Sequence, residues 1–373
     1  MDAPQDLYRP TFIDIDLGAI AHNFSEVKKL VKTAKVMAVV KANAYGHGLI
    51  ECAKHFEKLG TDYLGVALVE EGVELRRGGV KAPVLVFGGI VGGQIDQYLA
   101  NDLDLTASSI DKLNAIEATA AKLNKKARIH IKIDTGMRRI GVRPESAEAL
   151  IEAALKAKNC ELVGVFTHYA NADSPDEALT REQLDIFKSC TAEIKRVKPG
   201  VILHAANSAG MLLGSEHHLD MVRPGLALYG ITPAQHLSGK LNLKPALSLH
   251  SQLVFFKVVK AGQGVSYGHT WHAPRDTRVV TVPIGYGDGY SRALSNKAEV
   301  IIRGKRYPNV GTICMDQMMV DIGQDSAYNG DIITVIGRDG SEEITVNDLA
   351  AKAGTISYEI FTGLNLRLPR RYR

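Results

Sequence analysis

Apolar residues in the first two-thirds of the chain fall in short β-branched runs that alternate with segments of helical periodicity. Short apolar runs bounded by glycine, asparagine or proline are typical of buried strands. Eight such strands alternating with helices predict a (β/α)8 barrel of the TIM type, with a doubly wound open sheet as the competing architecture. The predicted strands are residues 36–40, 63–68, 84–87, 103–106, 128–133, 162–167, 201–204 and 221–229.

Helical periodicity is clearest in three of the segments between these strands, at residues 109–124, 145–158 and 180–197. Apolar side chains recur there every three or four positions, which is typical of a helix with one face on a core. Pro144 stands at the start of the second segment, where helix N-termini favour proline.

The pattern changes after about residue 243, where valine- and isoleucine-rich runs are separated by glycine, aspartate and asparagine turns. Only residues 346–353 look helical in this part of the chain. We therefore predict a (β/α)8 barrel domain at residues 12–243 and a mainly β domain at residues 244–373, with residues 1–11 able to pack with the latter. The predicted strands of the β domain are residues 249–259, 278–283, 299–303, 309–322 and 331–337.

Composition indicates an ordinary globular protein of 373 residues, 45% hydrophobic and 23% charged. The net charge of +4 is too small to favour a nucleic-acid or membrane partner, and no run approaches the roughly 20 apolar residues of a membrane span. The first ten residues contain no apolar signal core, so a cytoplasmic location is expected. The four cysteines form no C-x-x-C pair, which favours reduced thiols over a disulfide framework or a zinc site.

Lys41 is the polar residue with the clearest chemical implication. It follows the buried strand predicted at residues 36–40 and precedes a loop that contains Gly46 and Gly48. A lysine amine held there is partly desolvated, which lowers its pKa and makes it a usable nucleophile or base. Such an amine can form a Schiff base with a carbonyl cofactor.

Other unusual polar residues also fall at the ends of predicted strands, and the carboxyl ends of barrel strands form the active-site face. The loops after strands seven and eight are the usual phosphate site of such barrels, and here they contain Ser208 and Gly225. A phosphate site opposite a buried lysine favours pyridoxal 5′-phosphate as the cofactor. The strand-end residues are Lys41, Lys132, Thr167, His168, His204, Asn207, Ser208, Arg223 and Gly225.

The segment Ala38-Val39-Val40-Lys41-Ala42-Asn43-Ala44-Tyr45-Gly46-His47-Gly48 resembles the cofactor-lysine signature of bacterial alanine racemases. The resemblance covers essentially the whole chain. It implies a barrel followed by a β domain, pyridoxal phosphate, and a homodimer whose active sites are shared between subunits. Further matching motifs begin at Lys132, Phe166, Asn207, Val222, Ser266, Gly285, Cys314 and Ile356.

The family resemblance implies two catalytic bases. Lys41 resembles the lysine that holds the cofactor and acts on one face of the substrate α-carbon, and Tyr267 resembles the base on the other face, supplied by the partner subunit. Two bases are needed because a single base would tend to return the proton to its original side. A free tyrosine, with a pKa of about 10, is a poor base at neutral pH and needs help from its neighbours.

The resemblance also implies how the cofactor ring is held. Arg223 resembles the partner of the pyridine nitrogen, and because arginine only donates hydrogen bonds, it leaves that nitrogen unprotonated. The ring is then a weaker electron sink, which limits side reactions such as transamination. His168 resembles a residue next to the ring, and His204 resembles a residue behind Arg223.

Substrate and phosphate contacts follow from the same resemblance. Arg139 and Met315 resemble residues that receive the substrate carboxylate, with Met315 supplied by the partner subunit. Lys132 resembles a lysine that is carbamylated in many members, which would turn a cation into an anion beside Arg139. The implied cofactor-binding residues are Lys41, Tyr45, His168, Asn207, Ser208, Arg223, Gly225 and Tyr358.

Two residues depart from the family pattern. Arg138 stands where a small or polar residue is common, which affects the charge balance near Arg139. His269 follows the Tyr267-Gly268 pair where a longer basic residue is common, which bears on the environment of Tyr267. Neither change removes a group that the reaction needs.

The favoured interpretation is a metal-free alanine racemase that supplies D-alanine for peptidoglycan, and three alternatives remain. A pyridoxal-dependent decarboxylase or D-amino-acid aldolase on the same barrel is disfavoured by Arg223 and by the pairing of Lys41 with Tyr267. A metal-dependent hydrolase would use His168, His204 and a carbamylated Lys132 as ligands, but it normally needs an H-x-H pair after the first strand, where this chain has only His47. A non-catalytic pyridoxal-binding barrel would lack the β domain.

Overall fold

The computed structural model describes residues 8–373, which form two compact units. The barrel unit comprises Gly18–Ala44 and Gly48–Lys244. The second unit, called here the β unit, comprises residues 8–17 together with Tyr45–His47 and Pro245–Arg373. No helix within residues 8–373 is both long enough and apolar enough to cross a membrane.

The strands are numbered in chain order. The first ten are β1 Phe12–Ile15, β2 Lys35–Val39, β3 Tyr63–Val66, β4 Val84–Val86, β5 Leu105–Ala107, β6 Ala127–Lys132, β7 Cys160–Phe166, β8 Ile202–His204, β9 Met221–Val222 and β10 Leu247–Gln252. The others are β11 Phe255–Val259, β12 Gly264–Val265, β13 Trp271–His272, β14 Thr277–Val282, β15 Glu299–Ile302, β16 Lys305–Pro308, β17 Met318–Gly323, β18 Ile332–Asp339, β19 Glu342–Ile344 and β20 Arg370–Tyr372.

The α-helices are numbered in the same way. They are α1 Leu17–Val31, α2 Leu49–Lys58, α3 Val69–Arg77, α4 Ile95–Ala100, α5 Ile110–Lys122, α6 Ala147–Lys156, α7 Ala178–Thr191, α8 Ile194–Val197, α9 Val346–Ala353 and α10 Ser357–Gly363. The helices between the barrel strands bury one apolar face each, as their periodicity predicts.

The barrel unit closes on itself. Two parallel four-stranded sheets run in the orders β4-β3-β2-β9 and β5-β6-β7-β8. A parallel bridge between Leu85 and Asp104 joins β4 to the start of β5. At the other seam, the Asp220 amide donates to the Leu203 carbonyl at 3.0 Å, which joins β8 to β9. The predicted (β/α)8 barrel is therefore confirmed.

Apolar side chains from separate strands fill the barrel interior. One cluster joins Met37, Tyr63, Leu85, Phe166 and Met221, each less than a tenth exposed. Each of these residues lies on a different strand, so burying them together holds the strands around one core.

Two predicted elements of the barrel unit differ in the structure. The strand expected at residues 221–229 ends at Val222, because Pro224 has no N–H to continue the ladder, and residues 226–229 form a 3-10 turn. The helix expected at residues 180–197 is divided into α7 and α8.

The β unit is built around a mostly antiparallel sheet in the order β16-β15-β18-β10-β1-β20, with β19 paired to β18. Separate small sheets contain β11-β14-β17 and β12-β13. The predicted strand at 249–259 is divided into β10 and β11, and only the end of the predicted strand at 309–322 is extended, as β17. Helix α9 lies where it was predicted, whereas α10 was missed.

The N-terminal segment corrects the expected start of the barrel domain. Residues 12–15 were assigned to the barrel, but β1 pairs with β10 and β20 in the β unit. An apolar strand buried on both faces has the same pattern in either environment, so the sequence did not separate them. Arg9 also bonds to Asp288 of the β unit at 2.7 Å, and residues 1–7 of the predicted N-terminal segment lie outside the described part of the chain.

Candidate active site

The backbone after strand β2 takes an unusual turn at Lys41. Ala42, Asn43 and Ala44 all have φ between 51° and 56° and ψ between 45° and 55°, which is left-handed helical geometry. This geometry costs about 1–2 kcal/mol per residue for non-glycine residues. Side chains hold the turn: Glu71 accepts the Ala42 amide at 2.6 Å, and the Asn43 amide oxygen accepts the amide of Leu49 at 2.8 Å. Strain of this kind clusters at functional sites.

Lys41 has the environment that the sequence predicted. Its side chain is partly buried at the C-terminal end of β2. Burial lowers the pKa of Lys41, and the positive charges of Arg139 and Arg223 lower it further. A larger fraction of the amine is therefore neutral and able to act as a nucleophile or base.

Arg223 is buried among neutral acceptors. Its guanidinium donates to the carbonyl oxygens of Thr167 at 2.8 Å and Ala205 at 2.9 Å. It also lies 3.1 Å from Nδ1 of His204 and 3.3 Å from Nδ1 of His168. Within residues 8–373, no carboxylate forms an ion pair with this guanidinium.

The charge states around Arg223 follow from burial. Burial lowers the pKa of Arg223 to about 10, so the guanidinium stays cationic at neutral pH. Burial, and then the charge of Arg223, hold the pKa of His168 well below its ordinary value, and the same two causes act on His204. Both imidazoles are therefore neutral, and Arg223 is the cation of this group.

His204 does not have a nitrogen available for a metal ion. Its Nδ1 faces Arg223 at 3.1 Å, and its Nε2 lies 3.0 Å from Nδ1 of His130. No group of three or more histidine, cysteine, aspartate or glutamate residues suited to a metal ion occurs within residues 8–373. The geometry therefore does not fit a hydrolase that uses His204 as a ligand.

Ser208 organises the loops after β8 and β9. Its hydroxyl oxygen accepts the amides of Gly225 at 2.9 Å and Ala227 at 3.2 Å, so both loops meet at this side chain. Asn207 has a similar local role, because its amide oxygen accepts the Gly210 amide at 2.9 Å. The loops after β8 and β9 are thus brought together, at the position where such barrels bind phosphate.

Lys132 and Arg139 add two cations to the barrel site. Lys132 is 5% exposed, with its amine 5.4 Å from the centre of the Phe166 ring. Burial, followed by the charges of Arg139 and Arg223, lowers the pKa of Lys132 to about 8. Within residues 8–373, neither the Lys132 amine nor the Arg139 guanidinium makes a hydrogen bond or an ion pair. Arg138 and Arg139 are both exposed.

The barrel site therefore fits a ligand with several negative charges. Four cations lie close together there: the charges of Arg139 and Arg223 lower the pKa of Lys41, and the same two charges and that of Lys41 lower the pKa of Lys132. Such a cluster is unfavourable without counter-charge, and pyridoxal phosphate with an amino-acid carboxylate would supply it.

The predicted residues of the β unit form two groups. The rings of Tyr45 and Tyr358 have centroids 6.0 Å apart, and burial raises the pKa of Tyr45, so its hydroxyl remains a neutral donor. Gly46 is required beside them, because a side chain there would place its Cβ 2.2 Å from the carbonyl oxygen of Phe361.

Tyr267 and Met315 are instead displayed to solvent in the β unit, with 72% and 53% of their surface exposed. The backbone around Tyr267 is held by Thr312, whose hydroxyl donates to the Tyr267 carbonyl at 3.0 Å. His269 is exposed beside them. Tyr267, predicted to act as a base, and Met315, predicted to bind the substrate carboxylate, are thus both exposed on the β unit.

Sequence reasoning missed two residues near Arg223. The centre of the Phe166 ring lies 5.4 Å from the Lys132 amine and 5.5 Å from the Arg223 guanidinium carbon. His130 contacts His204 but had no role assigned to it. The alternation His130-Ile131-Lys132 places His130 and Lys132 on the same face of β6, and this period-two pattern is the signal that could have identified it.

A closed (β/α)8 barrel with a low-pKa lysine, a buried arginine and phosphate-type loops at its C-terminal face defines a pyridoxal-phosphate-dependent barrel enzyme. Comparison with known proteins gives the family. The model of the alanine racemase N-terminal domain matches residues 15–233, and that of the alanine racemase C-terminal domain matches residues 246–372. The chain belongs to the alanine racemase family, whose members are pyridoxal-phosphate-dependent isomerases.

Individual relatives agree over almost the full length. The chain is 44% identical over 370 residues to the alanine racemase of Symbiobacterium thermophilum, covering 98% of each protein. A solved alanine racemase from Clostridium difficile is 36% identical, with a TM-score of 0.93 and coverage of 99% of this chain and 97% of that one. An alanine racemase structure from Bartonella henselae with covalently bound pyridoxal phosphate is 29% identical, with a TM-score of 0.88 and coverage of 98% and 99%.

Proposed function

We propose that this chain interconverts L-alanine and D-alanine with pyridoxal phosphate and two opposed bases, Lys41 and Tyr267. It acts in the cytoplasm and supplies D-alanine for peptidoglycan. The observation that carries this proposal is the environment of Arg223, a buried cation with no carboxylate partner within residues 8–373. In this proposal the barrel domain ends at residue 243, and the β domain occupies residues 244–373.

Arg223 favours racemisation over side reactions because it cannot accept a hydrogen bond from the pyridine nitrogen. A carboxylate in its place would accept a hydrogen bond from a protonated pyridine nitrogen. The protonated ring would be a stronger electron sink. The guanidinium can only donate, and with a pKa of about 10 it stays charged. A weaker sink favours rapid return of a proton to the α-carbon over the slower side reactions.

The remaining cofactor contacts are proposed from the family resemblance. Lys41 is the covalent attachment point, and Ser208, Asn207, Gly225, Tyr45 and Tyr358 bind the phosphate or support its loops. His168 stays neutral beside the ring. Once bound, pyridoxal phosphate supplies an electron-withdrawing system that acidifies the substrate α-proton.

Lys41 and Tyr267 then handle that proton from opposite faces. The lowered pKa of Lys41 keeps part of its amine neutral and able to accept a proton. Tyr267 is exposed in the β unit, and we propose that it acts in the site of a second copy of the chain, together with Met315. Exposed apolar residues of β11, including Phe255, Phe256 and Val258, support a homodimer, since such residues are typical of interfaces.

Arg139 and Met315 would receive the substrate carboxylate, and Lys132 would hold Arg139 after carbamylation. Only the neutral amine reacts with carbon dioxide, forming an N–C bond and releasing a proton. The product is an anion beside Arg139, which replaces a like-charge repulsion by a charge-assisted pair.

Carbamylation of Lys132 should therefore depend on pH. We expect the carbamate to accumulate as pH rises through about 8, where the Lys132 amine becomes neutral, and to decline below it. Carbon-13 NMR with labelled bicarbonate measures the adduct, and Lys132→Met should abolish it. Lys126→Met, just before the same strand, is the matched control and should retain the signal; a carbamate signal that survives Lys132→Met would contradict this assignment.

The activity itself is tested by incubating the purified protein with L-alanine or D-alanine, with and without added pyridoxal phosphate. We expect a yellow protein that converts each enantiomer into the same racemic mixture, and little conversion after the cofactor is removed. Serine, arginine and lysine run in parallel define the substrate range. Release of carbon dioxide or an aldehyde without racemisation would instead support the decarboxylase or aldolase alternative.

A further inference from the structure

A buried row of side chains leads away from Arg223 along the barrel interior. Arg223 lies 3.1 Å from Nδ1 of His204, and Nε2 of His204 lies 3.0 Å from Nδ1 of His130. On the far side, Nε2 of His130 is 3.4 Å from a carboxylate oxygen of Asp104. All four side chains are buried, so water does not compete for these contacts.

The row has only one self-consistent proton arrangement. A guanidinium only donates, so Nδ1 of His204 must accept and its proton must lie on Nε2. That proton points to His130, whose Nδ1 must then accept, which places the His130 proton on Nε2. The last N–H therefore faces Asp104, and the arginine and the carboxylate fix both tautomers from opposite ends.

Asp104 is suited to end the row as an anion. Burial would raise its pKa, but the close contacts with His130 and Arg128 lower it below its ordinary value. Nε of Arg128 donates to Asp104 at 2.9 Å, and the Tyr63 hydroxyl donates at 3.1 Å. Asp104 immediately precedes β5, at the barrel end opposite to the one that holds Lys41.

The barrel backbone makes room for the histidine pair. Gly164 on β7 pairs with His130, and the ladder between β6 and β7 is irregular at this point. A Cβ on Gly164 would lie 2.3 Å from Nδ1 of His130 and 2.9 Å from the carbonyl oxygen of Ile202. The contact between His130 and His204 therefore requires glycine at position 164.

We propose that Asp104 and His130 are positioning residues for Arg223, acting through His204 to fix the direction in which its guanidinium donates. Because His204 accepts a hydrogen bond from Arg223, part of the Arg223 donors face the barrel interior and the others face the site. No member of the row can pass a proton toward the ring. This inference rests on the proposed function only for the identity of the group that faces Arg223.

Histidine tautomers provide a test that does not depend on activity. Nitrogen-15 NMR of histidine-labelled protein, with and without pyridoxal phosphate, should show neutral His130 and His204 with protons on Nε2, each assigned by its loss in His130→Gln or His204→Gln. In Asp104→Asn the single amide oxygen should remain with Arg128, so the amide N–H₂ should face the Nε2–H of His130, and this conflict of two donors should shift the His130 Nε2 resonance while Arg223 still holds both histidines as Nε2–H tautomers. A wild-type Nδ1–H tautomer at either histidine, or a His130 Nε2 resonance in Asp104→Asn identical to that of wild type, would overturn the proposal.

Gly164→Ala tests the consequence for the cofactor without removing a polar group. We expect kcat to fall by about 10²-fold with little change in KM, since a small misplacement of a reacting group costs this much. The ratio of keto acid to racemised alanine should rise and the absorption band of the bound cofactor should shift. The control His218→Gln removes a buried histidine that bonds to the Met211 carbonyl instead, and it should keep the wild-type ratio and spectrum.

These outcomes separate the two proposals. If the tautomers are as stated but no racemisation is found, the proposed function fails and the buried row stands. A racemase whose product ratio and cofactor spectrum are the same in Gly164→Ala and wild type, with Gly164→Ala folded by circular dichroism, would refute the positioning role.

Discussion

Replacing Lys41 by alanine is expected to lower racemisation of both enantiomers by at least about 10³-fold, since one residue supplies both a general base and the cofactor's attachment. The physical basis is its partly buried amine, whose pKa is lowered by burial and by Arg139. Initial rates from pure L-alanine and pure D-alanine, measured with saturating pyridoxal phosphate, check the result.

Lys35 provides the matched control, because it is the exposed first residue of β2, the strand that Lys41 follows. Lys35→Ala should retain wild-type rates. If Lys41→Ala keeps more than a tenth of the activity in either direction, another residue must hold the cofactor, and the role of Lys41 is wrong.

Replacing Tyr267 by phenylalanine should have an asymmetric effect. The change removes only the hydroxyl, so we expect solvent deuterium to exchange into one enantiomer about 10²–10⁴-fold more slowly, while exchange at the opposite face through Lys41 changes much less. Proton NMR of each pure enantiomer in deuterium oxide, followed before appreciable racemisation, measures the two rates separately.

Tyr328→Phe is the control for this experiment, since Tyr328 is another exposed tyrosine of the β unit. It should leave both exchange rates unchanged. Equal losses for the two enantiomers in Tyr267→Phe would show that this tyrosine is not a base for one face.

The barrel strands could be predicted from the sequence because parallel strands buried on both faces appear as continuous apolar runs. The same property explains why β1 was assigned to the barrel: its four residues are all buried, but in the sheet of the β unit. The strand expected at residues 221–229 shows another limit: the apolar run predicts a strand to residue 229, but the strand ends at Val222, before Pro224.

Three members of the cation cluster, Lys41, Lys132 and Arg223, were predictable because each lies at a strand end, whereas Arg139 was indicated only by the family resemblance. The energetics of the cluster were not predictable, since they depend on contacts between residues far apart in sequence. The pKa of Lys132 falls to about 8 because burial combines with the charges of Arg139 and Arg223. The left-handed turn after Lys41 was also hidden, because alanine carries no sequence signal for positive φ.

Reduction of the wild-type holoenzyme with borohydride, followed by peptide mapping, tests most directly whether the barrel site is the pyridoxal phosphate site of a racemase. The account predicts that the reduced cofactor is found on the peptide containing Lys41, with loss of activity in proportion to labelling. Cofactor fixed to Lys132 or to any other lysine, or full activity after complete labelling of Lys41, would contradict it.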